Sequence, residues 1–414
     1  MLFWRIVNGM KDINSKIGHT VESYGKPVAF KLMCVAIGFA NSILINRCLG
    51  VALRGEYTLI TNWASLIQLF LNLGIGAAYP AFKKHNPQNG KRVFSTVAFV
   101  ISLVYSSIIV FIVPFFSSRI QYVLLLAIIS AIENIIIYIA IVEDVAKRNA
   151  INILTSIVHT IILAGIFVFL KQNLDAIMIA VLLNHLMLCV SIVVLYRIGS
   201  FDIRQINFSV LKEIFSIAIP SMLMNLLMYL NYHADILCLG YLIDDSVQIG
   251  LYGTAVTLGN MLWIIPDAFK DVIFNRATKR DNPKEILLAI AFNFLLCCIV
   301  LVGFVFLGKP FLSLMYGPDY VPAYPLVLLM FLGTLPMILY KLIHPIYITN
   351  GHPGVVVRLL GLAVIINIIG NFIFIPRFEG VGAAVSSVIS YSICGIAFFV
   401  KFIKDYKRKE EEDE

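Results

Sequence analysis

Charged residues are scarce in this sequence of 414 residues. Only 14% of the residues are Asp, Glu, Lys or Arg, whereas 60% are hydrophobic, and the mean hydropathy is +0.89. Soluble globular domains carry about 25% charged residues. The deficit therefore excludes a soluble globule. Because a bilayer core about 30 Å thick needs roughly 20 apolar residues per helix, the composition indicates a chain that crosses a membrane many times.

The sequence also lacks the motifs of several enzyme and pump classes. It has no Gly-rich Walker loop, which argues against an ATP-driven pump. Its seven cysteines show no metal-ligand spacing and predict packing residues, with neither a disulfide framework nor a metal site. No cleavable signal is expected, because Arg5, Asn8 and Lys11 interrupt the first apolar run. We expect no enzymatic activity, no cofactor and no nucleic-acid partner.

Twelve apolar stretches are long enough to cross a bilayer. They are 27–48, 57–80, 93–116, 119–142, 150–170, 175–196, 214–242, 249–272, 286–307, 323–346, 355–376 and 380–402. Every second connection between these stretches belongs to one set that is short throughout. The longest connection of this set is Gly308–Pro322. A membrane polymerase or ligase for glycans needs an extended outer catalytic loop, so this pattern excludes that class.

Basic residues concentrate in every second connection. Of the 32 Lys and Arg residues, 24 lie in one set of alternate connections and the termini, six lie in the other set, and Lys31 and Lys341 lie inside apolar stretches. Short loops rich in Lys and Arg stay on the cytoplasmic side, which predicts that both termini are cytoplasmic. The net charge of +8 is then explained by loops that face anionic lipid head groups.

The chain divides into two similar halves. The segment 197–212 is the longest polar linker, and it separates an N-terminal six-helix lobe (1–196) from a C-terminal one (213–403). A charged cytoplasmic tail (404–414), expected to be disordered, ends the chain. Cys48–Gly50 and Gly55–Tyr57 in the first lobe match Cys238–Gly240 and Gly250–Tyr252 in the second. The prediction is an all-α membrane fold of two like-oriented six-helix bundles around a central cavity.

A few polar residues lie deep in the apolar stretches. A charge there costs at least about 2.5–3.5 kcal/mol, so it is expected to face the bundle interior. The carboxylates Asp235 and Glu133 must be protonated or paired, which leaves a role in proton or cation coupling and a structural ion pair equally open. The remaining candidates for a polar cavity also fit ordinary interhelical hydrogen bonds: they are His159, His185, Asn225, Asn231, Asn367 and Asn371.

Five cations lie near helix ends or against the charge asymmetry, and each allows more than one interpretation. Lys31, Arg358 and Lys341 lie near the predicted cytoplasmic helix ends, where they either extend to the interface or line a cavity and bind an anionic head group. Arg47 and Arg54 lie at the predicted outer end of the first helix, against the usual charge asymmetry. They indicate a functional role, a helix cap or a pairing with Glu56.

Five segments in a fixed order carry a family resemblance. The segment Asn46–Tyr57 resembles the signature R-x-L-G-x-x-x-x-G-x-Y of Wzx-type polysaccharide flippases, the polysaccharide-transport branch of the MOP (MATE-like) exporter superfamily. The further matches are Leu73–Gly76, Asp235–Tyr252, Leu314–Tyr320 and Asn367–Ala384. Twelve helices, where some members have fourteen, count against the peptidoglycan-precursor branch.

The resemblance implies a function. It implies movement of an undecaprenyl-pyrophosphate-linked oligosaccharide unit to the outer leaflet of the bacterial cytoplasmic membrane, for O-antigen or capsule, by alternating access. A polysaccharide polymerase, its chain-length machinery, membrane lipids and H⁺ or Na⁺ are the implied partners. Position alone assigns the pyrophosphate to Lys31, Lys341, Arg358, Arg47 and Arg54. A cation-coupled drug antiporter, or a teichoic-acid or sporulation-type flippase, is the alternative.

Overall fold

The chain folds into a bundle of long helices. The computed structural model describes the side chains of residues 33–170, 172–199, 201–202, 204, 206–267, 269–270 and 285–408, and the backbone alone of 2–32, 283–284 and 409–413. The side chain of Lys31 lies outside these ranges. The helices, in chain order, are α1 (Leu2–Asn72), α2 (Ile75–His85), α3 (Gly90–Phe111), α4 (Ser118–Glu143), α5 (Val145–Phe169), α6 (Leu174–Leu195), α7 (Phe208–Leu242), α8 (Ser246–Leu262), α9 (Pro283–Met315), α10 (Tyr324–Thr349) and α11 (Pro353–Asp413).

Two of these helices are broken in the middle. Helix α1 is interrupted at Gly50 (φ 69°, ψ 177°) and α11 at Glu379 (φ 51°, ψ −129°). The backbone at Gly50 is open almost only to glycine, which has no Cβ. Ten candidate spans lie in the described chain, and two of them, of 53 and 56 residues, contain these breaks. Because one crossing needs roughly 20 residues, each arm of α1 and α11 can cross once. With both arms of these two helices counted, the ten spans give the predicted twelve crossings.

The helices are longer than the apolar stretches that predicted them. Helix α9 continues to Met315, so most of the predicted outer connection is helical or lies in the 3₁₀ turn Pro318–Ala323. The tail, expected to be disordered, is helical to Asp413. Hydropathy marks where apolar sequence ends, but backbone hydrogen bonds continue beyond it. Lys401 and Asp405, 2.5 Å apart across one turn, support the helix there. The predicted inner segment 274–285 lies almost wholly outside the described residues.

The bundle exposes large apolar side chains on its outer surface. Leucine, isoleucine and valine are exposed along several helices, and aromatic residues are exposed near helix ends, among them Phe111, Phe115, Phe169 and Phe208. Such a surface would be unfavourable in water but is suited to a hydrocarbon solvent. Aromatic residues near the helix ends are typical of membrane–water interfaces.

Each half of the chain has hydrophobic cores of its own. We refer to α1–α6 as the N half and to α7–α11 as the C half. In the C half one large core joins α8, α9, α10 and α11, with Tyr252, Val327 and Phe398 fully buried. The N half contains several smaller clusters, such as the one around Tyr79 and Phe94. Each core also reaches the other half: Val51 of α1 belongs to the first, and Ile214 and Ala218 of α7 belong to the second.

The halves meet where α1 crosses α8. A Cβ at Gly55 would lie 1.9 Å from the carbonyl oxygen of Ser246, and one at Gly250 would lie 2.1 Å from that of Val51. The two glycines also face each other, because a Cβ added to either one would lie 3.1 Å from the backbone nitrogen of the other. Gly55 and Gly250 are equivalent in the two sequence repeats. Their mutual contact is the arrangement that equivalent residues adopt when they lie close to a two-fold axis between the halves.

Replacing Gly250 by alanine should separate α1 from α8. The added methyl group overlaps the Val51 carbonyl, and overpacking of this kind costs about 1–3 kcal/mol. We expect Gly250→Ala to lower the melting temperature of the detergent-purified protein. Gly303→Ala is the matched control, since a Cβ at Gly303 meets nothing within 4 Å. Equal melting temperatures for the two variants would contradict the close approach.

Candidate transport site

The two arginines that violate the charge asymmetry join the halves at the predicted outer end. Arg47 donates from Nε to the carbonyl of Met315 at 2.7 Å and from Nη2 to the carbonyl of Leu314. These are the last carbonyls of α9, which carry the negative end of the helix dipole. Arg54 is buried and donates to Thr257 Oγ1 on α8 at 3.1 Å. We call these bonds the outer contact.

Other neutral groups support the outer contact. Tyr320 donates its hydroxyl to the carbonyl of Asn46 at 3.0 Å, and the hydroxyls of Ser42 and Tyr316 lie 3.4 Å apart. The pairing with Glu56, one of the sequence readings, is not formed by Arg47 or Arg54. Glu56 instead accepts from Arg119 at 2.8 Å, within the N half. Arg47 caps α9 of the opposite half instead of its own helix.

Asp235 lies at the centre of a buried polar cluster in the C half. Its side chain on α7 is 1% exposed, and its Oδ2 accepts from the hydroxyl of Ser387 at 2.8 Å and from that of Tyr252. The series of hydrogen bonds continues on α11, where Asn367 donates to Ser387 Oγ at 3.3 Å and Asn371 donates to Asn367 Oδ1 at 2.9 Å. Three of these residues were predicted, and the structure brings them together.

The Asp235 cluster holds polar atoms without partners. Within the described chain, Asn371 Oδ1 and Asn231 Nδ2 are buried and have no hydrogen-bond partner. Asn231 lies one turn before Asp235 on α7, and its Oδ1 is 3.5 Å from Ser390 Oγ. Carboxylate, amide and hydroxyl oxygens are the donors that hard cations such as Na⁺ prefer, and the carboxylate can alternatively take a proton. The cluster can therefore hold a monovalent cation.

Glu133 and the two predicted histidines occupy the N half. Glu133 Oε2 on α4 lies 2.5 Å from His185 Nδ1 on α6, and both side chains are largely buried. His159 on α5 is buried, and its ring bonds the backbone of Ala180 on α6. The structure therefore provides the ion-pair partner that sequence analysis left open for Glu133. His159 makes the interhelical contact that was one of its two readings.

Lys341 is enclosed in the C half and does not extend to the interface. It is 6% exposed on α10, and its Nζ lies 2.8 Å from Asp267 Oδ1. The ammonium also lies 4.7 Å from the ring centroid of Trp263 and 5.6 Å from that of Tyr232. Cation–π contacts of this kind are strongest where water is excluded. The third ring, Tyr391, lies 5.7 Å from Trp263. These five residues form what we call the Lys341 chamber.

The chamber contains buried polar groups that could serve as further hydrogen-bond donors. Trp263 Nε1, Tyr232 Oη and Tyr391 Oη are buried, and none has a hydrogen-bond partner among the described residues. Asp267 also lies 3.4 Å from Lys270, so one carboxylate serves two ammonium groups. Unpaired buried donors are costly in a low dielectric. The chamber can therefore bind an additional oxyanion or a set of hydroxyl groups.

The other predicted residues do not join these sites. Arg358 is exposed on α11 and donates to the carbonyl of Gly354 at 3.1 Å, on its own helix. It shares an exposed face with Leu362 and Ile365, which favours the snorkelling reading over the cavity reading. Asn225 is half-buried on α7 and has no hydrogen bond to the Asp235 cluster within the described ranges.

Sequence analysis missed the partners of the charged residues. Asp267 is a partner of Lys341, yet the sequence analysis did not single it out. Trp263, Tyr252 and Ser387 were not singled out, because aromatic and hydroxyl residues are common in membrane helices. The available signal for Asp267 was its acidic side chain close to the cytoplasmic end of an apolar stretch, the same depth as Lys341.

The architecture matches solved transporters over nearly the whole chain. An inward-facing multidrug resistance MATE family transporter of the MOP superfamily is similar with a TM-score of 0.72 at 15% identity, covering 93% of this chain and 98% of that one. The lipid II flippase MurJ, in an inward closed conformation, has a TM-score of 0.72 at 15% identity, covering 91% and 87%. An outward-facing MATE transporter scores 0.56 at 13% identity, covering 92% and 94%. At these identities the likeness shows the fold.

This fold is that of multi-pass membrane transporters of the MOP superfamily. The sequence matches the family described as "Polysaccharide biosynthesis protein" over residues 29–267, more than half of the chain. The chain belongs to that family. Its relatives in fold are transporters and flippases rather than catalytic enzymes. No curated protein sequence matches the chain significantly.

Removing Arg47 should loosen the outer contact. Two hydrogen bonds from a charged donor contribute about 1.5–3 kcal/mol each at most, so their loss should favour separation of the halves at that end roughly tenfold or more. In a cysteine-free background with Ser42→Cys, we expect Arg47→Ala to increase labelling by a membrane-impermeant maleimide added outside. Arg119→Ala is the control, because its bond to Glu56 stays within one half. Unchanged labelling in Arg47→Ala would show that this bond does not hold the outer end closed.

Proposed function

We propose that this protein is a flippase for lipid-linked oligosaccharides of a bacterial surface polysaccharide such as O-antigen or capsule. It moves the undecaprenyl-pyrophosphate-linked unit from the cytoplasmic to the outer leaflet of the cytoplasmic membrane. Family membership supports this proposal, and so does the similarity in fold to a protein described as a lipid II flippase. A polysaccharide polymerase would use the exported unit.

The Lys341 chamber carries the proposal. The substrate combines an anionic pyrophosphate with a glycan rich in hydroxyl groups. Lys341 and the neighbouring Lys270 both contact Asp267 there, and Trp263, Tyr232 and Tyr391 supply donors without partners among the described residues. Such a site favours an anion and disfavours a cationic drug, so it argues against the antiporter alternative. Among the predicted cavity cations we retain Lys341 for the anion and exclude Arg358, which is exposed.

The outer contact is suited to alternating access. Arg47, Arg54 and Tyr320 connect the halves at the predicted outer end by hydrogen bonds, several of which involve neutral partners. Export requires these bonds to break so that the halves can separate at that end. Rocking of one bundle against the other is the expected motion for two like-oriented repeats.

The Asp235 cluster is proposed as the coupling site. Asp235 is fully buried, and its hydrogen-bond donors in the described chain are two hydroxyl groups and a backbone amide. None of these donors carries a positive charge, so a proton or Na⁺ is a fitting counter-charge. Asn371 Oδ1 and Ser387 Oγ would complete an oxygen shell around a bound cation. The Glu133–His185 pair is assigned a structural role, because each group already has an oppositely charged or hydrogen-bonding partner.

Loss of the chain should trap the substrate on the cytoplasmic side. In a deletion strain, undecaprenyl-pyrophosphate-linked single units should accumulate in the inner leaflet, and surface polymer should be lost. We expect wild-type protein and Arg358→Met to restore the polymer, whereas Lys341→Met at equal membrane abundance should not. Leaflet position is measured by treating intact and lysed cells with an impermeant glycan-binding probe.

Three outcomes would contradict this assignment. Units that reach the outer leaflet unpolymerised would indicate that the chain is a polymerase. Normal polymer with altered drug resistance would favour the antiporter. Full restoration by Lys341→Met would remove the chamber from the transport path.

Asp235→Asn should uncouple export from its driving ion. The amide keeps the size and shape of the carboxyl group but carries no charge to balance a cation, so export should fall at least about tenfold. Wild-type export should fall when either the proton or the sodium gradient is collapsed, and the variant should no longer respond to that treatment. Asp244→Asn, at an exposed position two residues beyond α7, is the control. Wild-type export by Asp235→Asn would exclude this carboxylate from coupling.

A further inference from the structure

The Lys341–Asp267 pair is unequally enclosed. The side chain of Lys341 is 8% exposed, whereas that of Asp267 is 28% exposed. A ligand that approaches the chamber therefore meets the carboxylate first. The ammonium lies behind it, between the rings of Trp263 and Tyr232.

Lys341 needs an anionic partner in this environment. Breaking a buried ion pair by removing one member leaves an uncompensated charge, which is strongly unfavourable. Exchange of one oxyanion for another avoids that cost, because the ammonium stays neutralised throughout. Asp267 would likewise keep a partner after exchange, since Lys270 Nζ already lies 3.4 Å from its Oδ1.

Asp267 does not use all the donors that surround Lys341. Its Oδ1 accepts from Lys341 and Lys270, while Trp263 Nε1 and Tyr391 Oη remain buried without partners in the described part of the chain. A phosphoryl group has three acceptor oxygens, and a sugar carboxylate has two oxygens with hydroxyl groups beside them. Either would satisfy donors that the aspartate leaves unpaired.

We propose that Asp267 occupies the place of the substrate's oxyanion in the empty transporter, and that a phosphoryl or carboxylate group of the substrate displaces it from Lys341 on loading. The proposal rests on the function proposed above and adds a residue that determines specificity. Neutral and cationic amphiphiles cannot replace Asp267, because they bring no negative charge to the position that its carboxylate occupies beside Lys341. Asp267 thus competes with the ligand for the Lys341 ammonium, and only an anionic ligand displaces it.

The fluorescence of Trp263 reports this exchange directly. The chain has three tryptophans, so Trp4→Phe with Trp63→Phe leaves Trp263 as the single emitter, 4.7 Å from the Lys341 ammonium. The purified protein in detergent is titrated with farnesyl pyrophosphate, methyl glucuronide and farnesol at about pH 6, where a lysine is protonated. We expect the pyrophosphate or the glucuronide to change Trp263 fluorescence, and farnesol to leave it unchanged.

The variants separate exchange from simple attraction. Asp267→Asn removes the competitor and should bind the anion at least about tenfold more tightly than the wild type. Lys341→Met should abolish binding. The neutral double variant Lys341→Met with Asp267→Leu avoids an unpaired buried charge, so it should fold and bind no anion. If Asp267→Asn fails to fold, thermal stabilisation by farnesyl pyrophosphate, present in the wild type and absent in the double variant, gives the same answer.

The outcomes are distinct from those of the export assay. Binding by either anion supports the proposal, and the one that binds identifies the pyrophosphate or an acidic sugar as the displacing group. Equal or weaker anion binding by Asp267→Asn, or equal binding of farnesol, would overturn it. If export still depends on the chain while the anion fails to bind, the exchange is wrong and the flippase function stands.

Discussion

A charge inside a bilayer needs a partner inside the protein, and this requirement organises the interior of the bundle. Transfer of an isolated ionised group into a low dielectric costs far more than any single contact returns. Glu133 and His185 meet this requirement in the N half, and Lys341 and Asp267 meet it in the C half. Asp235 meets it differently, with hydroxyl groups in place of a basic side chain.

The location of these pairs bears on the rocking motion proposed for the halves. Both interior ion pairs lie within one half: Glu133 with His185 joins α4 to α6, and Lys341 with Asp267 joins α10 to the segment after α8. The contacts between the halves use different chemistry, which includes backbone packing at Gly55 and Gly250, the hydrogen bonds of Arg47 and apolar packing of α2 against α7. The costly electrostatic pairs can therefore stay intact when the halves move, and only weaker contacts need to break.

The sequence predicted the twelve crossings well because hydropathy is a local property, and Gly50 marked one break because its backbone demands glycine. It could not predict the partners. Lys341 and Asp267 are 74 positions apart, and Asp235 and Ser387 are 152 apart. Depth in the membrane is readable from sequence position, but rotation about the helix axis is set by neighbouring helices. The same two positions were therefore open to Arg358 and to Lys341, yet Arg358 is exposed and Lys341 is buried.

The Asp235 cluster and the Lys341 chamber share two helices. On α7, Asn231 lies beside Asp235 while the next residue, Tyr232, faces the Lys341 ammonium. On α11, Ser390 contacts Asn231 while the next residue, Tyr391, packs against Trp263. Adjacent residues on a helix point about 100° apart, so each helix presents one side chain to each site. A rotation or shift of either helix changes both sites together. Coupling between a cation at Asp235 and an anion at Lys341 thus requires no path through the N half.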